Sequence, residues 1–136
     1  MILEIITPEK IVFKEEVDEV IVPTVTGEIA ILSNHVPLVT QISEGELIVK
    51  KENKLYSVAI SGGFLEVSKN QVSILANFAI RAEDIEIAKV EEAKKRAEHL
   101  VKERSTDRDF KIAEAELLKS ILQLRIATKY KHRRPL

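Results

Sequence analysis

Between Ile80 and Val90 the spacing of the apolar residues switches, and no other feature limits the fold of this chain as strongly. Before the switch, apolar residues alternate or run in short β-branched clusters. After it they recur every three or four positions, and no glycine follows. A period of two describes strands, whose successive side chains point to opposite faces; a period near 3.6 describes helices. The expected architecture is therefore α+β, with a β module over residues 1–82 and a helical module over residues 83–136. Glu83 and Asp84 stand where acidic side chains favour a helix N-terminus.

In the first module the pattern predicts strands at Ile2–Ile6, Ile11–Lys14, Glu19–Val22, Glu28–Leu32, Leu38–Ile42, Glu46–Lys50, Leu55–Ile60, Phe64–Val67 and Val72–Ala76. Pro8-Glu9, Thr26-Gly27, Glu44-Gly45, Asn53-Lys54, Gly62-Gly63 and Lys69-Asn70 supply the turns. About nine short strands without intervening helices predict an antiparallel sandwich or barrel, and the β-sandwich, which buries the inner faces of two sheets in a core of its own, is the expected form. Two stretches ask for more than turn chemistry. Asn34-His35 precedes Val36-Pro37, and a residue before proline is held extended, so this loop is expected to be stiff. His35 reads first as a hydrogen-bonded structural residue rather than a ligand. In Ser61-Gly62-Gly63-Phe64-Leu65-Glu66, paired glycines permit positive φ or close backbone approach, which predicts a bulge or tight corner. The competing reading, a phosphate-cradling loop, lacks the following lysine and helix.

The second module predicts a helix from Asp84 to Arg104 with its seam at Val90, Ala93, Ala97, Leu100 and Arg104. Glu91–Lys95, Glu92–Arg96 and Glu98–Lys102 are i,i+4 pairs on its solvated face. Ser105, Thr106 or Asp107 is expected to cap a second helix, and Thr106 with Asp109 resembles a capping box. That helix is predicted over about Arg108 to Tyr130. Its seam is Phe110, Ala113, Leu117, Ile121, Leu124 and Thr128, widened by Leu118, Leu122 and Ile126. The short connection makes the pair an antiparallel hairpin. An alanine-rich first helix cannot cover so wide a stripe, so the surplus is expected to pack on the sandwich or on another protein.

Charge divides the same way. Residues 1–83 carry 7 Lys/Arg against 12 Asp/Glu, a balance of −5, and residues 84–136 carry 14 against 10, a balance of +4. No acidic residue follows Glu116, whereas Lys119, Arg125, Lys129, Lys131, Arg133 and Arg134 all do. A basic tail on an acidic body calls for an acidic partner or for internal contact. The absence of cysteine removes disulfides and thiolate metal sites and fits a reducing compartment. Neither a bilayer-spanning apolar run nor a signal peptide is expected. His35, His99 and His132 lie far apart, no metal-ligand spacing or nucleophile elbow occurs, and a catalytic role is not expected. An acidic sandwich without a stacking platform argues against nucleic acid.

Gly27-Glu28-Ile29-Ala30-Ile31-Leu32 with His35-Val36-Pro37-Leu38, then Ser61-Gly62-Gly63-Phe64-Leu65-Glu66-Val67, resembles the ε subunit of F-type rotary ATP synthases over nearly the whole chain. Ala30 departs from a usual glycine, and Ser33-Asn34 from a common Pro-Gly. The resemblance implies a non-catalytic rotor part in the central stalk, peripheral to the membrane on the cytoplasmic face in bacteria or the stromal face of a thylakoid. Its sandwich would bind the γ shaft and rest on the c-ring. Glu28, Ser33, Asn34, His35, Val36, Pro37 and Leu38 match the family's ring-facing region and are the candidate c-ring and shaft contacts.

The same resemblance makes the hairpin regulatory. Folded down it lies beside the sandwich; extended, it reaches the catalytic β subunits and opposes ATP hydrolysis, with Lys119, Arg125 and Lys129 as the basic contact. Some bacterial relatives bind ATP on the folded hairpin through Ile/Leu-Asp-x-x-Arg-Ala. Here the aligned run is Ile85-Glu86-Ile87-Ala88-Lys89-Val90, where lysine lacks arginine's planar fork, and only Arg96 keeps a matching cation. Ile85, Glu86, Lys89 and Arg96 are thus the candidate ATP contacts, with weak or absent binding expected and no cofactor or metal implied. The competing readings are an ATP-sensing module and a β-sandwich enzyme.

Overall fold

A computed structural model of the chain describes residues 1–103 and 106–133, with side chains through residue 130. It divides into two compact units, Met1–Ala82 and a second that begins at Glu83.

The first unit has eight strands: β1 (Ile2–Ile6), β2 (Ile11–Glu16), β3 (Glu19–Thr24), β4 (Gly27–Leu32), β5 (Leu38–Gln41), β6 (Gly45–Lys51), β7 (Lys54–Ser68) and β8 (Gln71–Arg81). They form one hydrogen-bonded path, β2-β1-β8-β7-β6-β3-β4, with β5 on the flank of β7. The first half of β7 pairs with β6, from Lys51↔Lys54 to Gly45↔Ile60. Its second half pairs with β5, from Gln41↔Phe64 to Leu38↔Val67. β8 follows β7 throughout but meets β1 only over residues 71–75. The path therefore folds over into the two layers of a sandwich. Alternate residues of both layers point into one core, where Leu3, Ile5, Val20, Val22, Ile31, Leu47, Leu65 and Ile74 are fully buried.

The predicted Leu55–Ile60 and Phe64–Val67 strands are thus one strand of 15 residues, and Gly62-Gly63 is a corner within it rather than a turn. Gly62 has φ 66° and Gly63 φ 121°, both left-handed. Opposite them, Ser61↔Phe78 and Gly63↔Ala76 keep the ladder in register across the bend. A second difference is that β1 runs parallel to β8, so the sandwich is not wholly antiparallel. This pairing joins the first strand to the last, which no local pattern encodes. Turn chemistry also moves by one residue: the β6–β7 hairpin turns on Glu52-Asn53 (φ 51° and 66°), not Asn53-Lys54. Positive φ at both central positions matches the twist of the strands.

Glu15 of β2 receives Lys51 of β6 at 2.8 Å, a contact across strands that are not ladder neighbours. This hydrogen bond is the main reason that the Lys51 ammonium is held above its ordinary value of 10.5. A raised lysine contributes its stability fully below that value and loses it as pH climbs through the folded pKa. Replacing Lys51 with glutamine is expected to leave the shape of the stability–pH curve between pH 6 and 9 unchanged, which urea midpoints measured across that range would check.

At the end of the first unit Ile80 and Arg81 still belong to β8, pairing with Ala59 and Val58. The ladder holds them extended, so the helix starts later than predicted: a 3-10 turn at Ala82–Asp84 precedes α1 (Ile87–Glu103). The Glu86 carbonyl accepts from Val90 N–H and opens that helix. α2 (Asp107–Arg133) is capped by Thr106, whose Oγ1 accepts from Asp109 N–H at 3.0 Å. Thr106→Ala is expected to lower hairpin stability by about 1 kcal/mol, read as earlier loss of helical circular dichroism in urea. Ser105 and Arg104, proposed as cap and seam, lie outside the described residues.

Burial corrects the α2 seam. Ala113, Ser120 and Ala127 are buried at heptad spacing together with Leu122 and Ile126, whereas Ile121 and Thr128 are exposed. Small residues at this spacing let the helix approach its neighbours closely, and Ser120 Oγ is satisfied by donating to Glu116 O at 2.9 Å. On α1, Ala97 is buried but Leu100 is half exposed. The expected Glu91–Lys95, Glu92–Arg96 and Glu98–Lys102 pairs do not close. Lys94–Glu98 and His99–Glu103 form instead. Exposed pairs gain only tenths of a kcal/mol, too little to fix long side chains in one arrangement.

Candidate functional site

Alternation places one row of apolar side chains on the outer face of the layer that holds β1 and β2. Cross-strand register aligns Phe64 of β7, Leu75 of β8, Ile6 of β1 and Ile11 of β2. Their inward neighbours Leu65, Ile74, Ile5 and Phe13 fill the core. Phe64, Leu75 and Ile11 remain 57–59% exposed, which is costly for side chains of this size in water. Val39 lies on the same face of β5 and is 71% exposed, and Val36 in the adjoining loop is 70% exposed. The next row is Val39, Glu66, Ser73, Glu4 and Lys14; apart from Val39 it is polar, and it holds a Glu4–Lys14 ion pair. Sequence reading assigned Phe64 to a strand but missed the row, because register between distant strands decides which exposed residues meet.

Of the seven candidate contacts in the sandwich, six cluster. Ser33, Asn34, His35, Val36 and Pro37 form the connection from β4 to β5 at one end of the unit, and Leu38 is the first residue of β5. Asn34, at φ 63°, donates its N–H to Asn70 Oδ1 at 2.9 Å, and His35 Nδ1 lies 2.7 Å from Val36 O. The loop is thus fixed by side chains as well as by Pro37. Glu28 is elsewhere. It opens β4, five residues from Ser33, which is about 16 Å of strand. There it stands exposed beside the turn of Val25 and Thr26, itself tied to Gln41 by Val25 N–H. The structure therefore splits the set between opposite ends.

On the hairpin, Glu86 and Lys89 pair with each other at 2.7 Å, and Ile85 is buried. Arg96 lies seven residues beyond Lys89, about 10 Å along the helix. It borders a groove between α1 and α2 with Ala97, Leu100, Asp109, Ile112 and Glu116. The four candidate ATP contacts are not brought into one site. The basic set divides as well. Arg125 and Lys129 are exposed one turn apart, whereas Lys119 is about 120° around the helix from Arg125 and lies 3.9 Å from Glu116. The side chains of Lys131 and Arg133, and all of Arg134, fall outside the described residues. Leu118 and Ile112 are just over half exposed, so part of the surplus apolar surface stays open. Among the described residues no group of three or more His, Asp or Glu could hold a metal ion, and no helix is long and apolar enough to cross a membrane.

Comparison with known proteins covers most of the chain. Residues 1–82 match the family model of the ATP synthase Delta/Epsilon chain beta-sandwich domain, and residues 83–128 that of its long alpha-helix domain. The ATP synthase epsilon chain of Desulforamulus reducens is 42% identical over 125 residues, 92% of this chain and 95% of that one. Its counterpart in Dehalococcoides mccartyi is 44% identical over 128 residues, 93% and 91% of the two chains. Among solved structures, a chain of the Euglena gracilis mitochondrial ATP synthase, seen with its c-ring, is 27% identical with a TM-score of 0.63, covering 97% of this chain and 79% of that one. A chain of the Tetrahymena thermophila mitochondrial ATP synthase central stalk and c-ring shares the fold at 17% identity and a TM-score of 0.58, covering 96% and 95%.

Proposed function

The chain belongs to the ATP synthase Delta/Epsilon family as an epsilon subunit, and from that premise we propose that it is a non-catalytic rotor part joining the γ shaft to the c-ring and restraining ATP hydrolysis through its hairpin. The observation that carries the coupling role is the row of Phe64, Leu75, Ile6 and Ile11, in which Phe64, Leu75 and Ile11 are more than half exposed. A face of this kind is stable in water only as a standing interface, and a rotor part must hold its shaft through every turn. Val39 and Val36 continue the apolar surface toward the loop of Ser33–Leu38, so that loop goes with the shaft. Glu28 and the Val25-Thr26 turn, at the far end of β4, go to the ring. On this reading the subunit is peripheral, on the cytoplasmic face of a bacterial membrane.

The chain has no cysteine, so one introduced thiol is unique in it. In the assembled complex, Glu28→Cys is expected to crosslink to ring subunits and Val36→Cys to the shaft. The reverse pattern would exchange the roles of the two ends; crosslinks to neither would end the coupling proposal.

Restraint of hydrolysis draws support from the exposed apolar residues of α2 and from Arg125 and Lys129, which present two cations on one face to an acidic β-subunit segment. Ending the chain after Glu103 is expected to raise ATP hydrolysis by the assembled complex several-fold while leaving assembly intact. Unchanged hydrolysis would remove the inhibitory role. The ATP-sensing alternative has little support, since Glu86 and Lys89 satisfy each other and Arg96 lies about 10 Å along the helix from Lys89. Calorimetric titration of the full chain with ATP is expected to give no micromolar binding.

A further inference from the structure

A sheet path that folds over leaves a seam where its edge strand comes back against its own length, and here β2 returns to the last residues of β8. Beyond Leu75, β8 has lost β1 as a neighbour. On that open side Arg81 fills the gap. Its Nε donates to Val12 O at 3.0 Å, and its guanidinium lies 4.8 Å from the centroid of the buried Phe13 ring. Its second arm lies 3.9 Å from Glu15 Oε2, while the other oxygen of that carboxylate holds Lys51. Val12 is the extra residue of a bulge: Ile5 pairs with Phe13 and Ile6 with Ile11, so Val12 faces no residue of β1. A bulged edge residue keeps its backbone groups free for a donor from outside the ladder. A planar guanidinium can donate along its edge and stack through its face at once, which an ammonium cannot.

Arg81 is also the last residue of β8, one position before the 3-10 turn that begins the approach to α1. We propose that Arg81 is a positioning residue that locks the end of β8 to the edge strand, so that motion of the hairpin begins after it and cannot peel β8 from the sandwich. The peeling argument rests on the mobile hairpin proposed above; the lock itself does not.

Hydrogen exchange of the full chain, read by mass spectrometry over a urea series, separates the two. In the unaltered protein, amides of residues 78–81 are expected to stay protected at urea concentrations where α1 opens. With Arg81→Ala they are expected to exchange about tenfold faster and to open together with α1, while residues 64–67 change little. Arg81→Lys keeps the charge without the fork and is expected to resemble the alanine variant. Glu15→Gln keeps the Val12 and Phe13 contacts and is expected to give a smaller change in the same segment. Opening of 78–81 together with α1 in the unaltered protein would overturn the lock. So would unchanged exchange with Arg81→Ala, or a loss spread evenly to residues 64–67, which would make Arg81 a general stabiliser only. If the lock holds but truncation at Glu103 leaves hydrolysis unchanged, the switching proposal fails by itself.

Discussion

Gly63→Ala is expected to lower the stability of the sandwich by about 4 kcal/mol, a large share of the 5–15 kcal/mol that domains typically have. Two effects combine. At φ 121° a side chain meets its own backbone, which costs on the order of 1–3 kcal/mol. The new Cβ would also overlap the Leu75 carbonyl oxygen and lie 2.8 Å from Ala76 Cα. Both atoms belong to the strand paired with β7, so relief requires pulling the ladder apart where it bends. Gly27 supplies the control, because its φ of 120° is nearly the same but a Cβ there meets nothing within 4 Å. Gly27→Ala is expected to cost only the backbone part, about 1–2 kcal/mol. Gly62→Ala, which crowds the end of the exposed Asn77 side chain, should fall in that lower range as well. Thermal unfolding of the full chain should show a fall of roughly 20 °C for Gly63→Ala. Equal losses for all three glycines would refute the steric half of the account.

The second large effect concerns binding. Phe64→Glu and Leu75→Glu are each expected to weaken association with the shaft about 30-fold or more, as loss of a central apolar anchor does. Folding should barely respond, since both side chains are more than half exposed in the isolated chain. Ser73→Glu, in the adjoining polar row and directly across from Glu66, serves as the comparison and is expected to alter binding little. The readout is affinity for a complex stripped of this subunit, with circular dichroism confirming the fold. Wild-type affinity in the doubly substituted chain would move the shaft interface off this face.

How much of this was legible in the sequence follows from the range of each interaction. The division near residue 82, the strand-then-helix order and most strand centres rest on local periodicity, and the structure has them. Thr106 as a cap is local too, with its side chain bonded three residues on. Three features are long-range and were not legible. The paired glycines announce a bulge or tight corner and form one, but that the strands on either side are a single β7 follows only from its pairing with β6 and then β5. The start of α1 was placed early because Glu83 and Asp84 suit a helix N-terminus, yet Ile80 and Arg81 are held extended by Ala59 and Val58, more than twenty positions away. The resemblance puts Glu28 and the loop at Ser33–Leu38 in one contact region, but β4 lies between them and holds them nearly its whole length apart. On α2, wide apolar stripes fit several seams, and the small residues Ala113, Ser120 and Ala127 decide which is buried.

One unbroken ladder from β2 to β4 has a mechanical consequence. In a sandwich of two separate sheets, a force entering one sheet reaches the other only through side-chain contacts, which can slide. Here β7 and β8 cross from layer to layer, so strain travels through covalent backbone and its rungs. Tension along paired strands loads many rungs in parallel, whereas a pull on one strand end opens them one after another like a zipper. Such a body resists twisting far better than it resists being unzipped, and the fastening at Arg81 guards the strand end where an unzipping pull would enter.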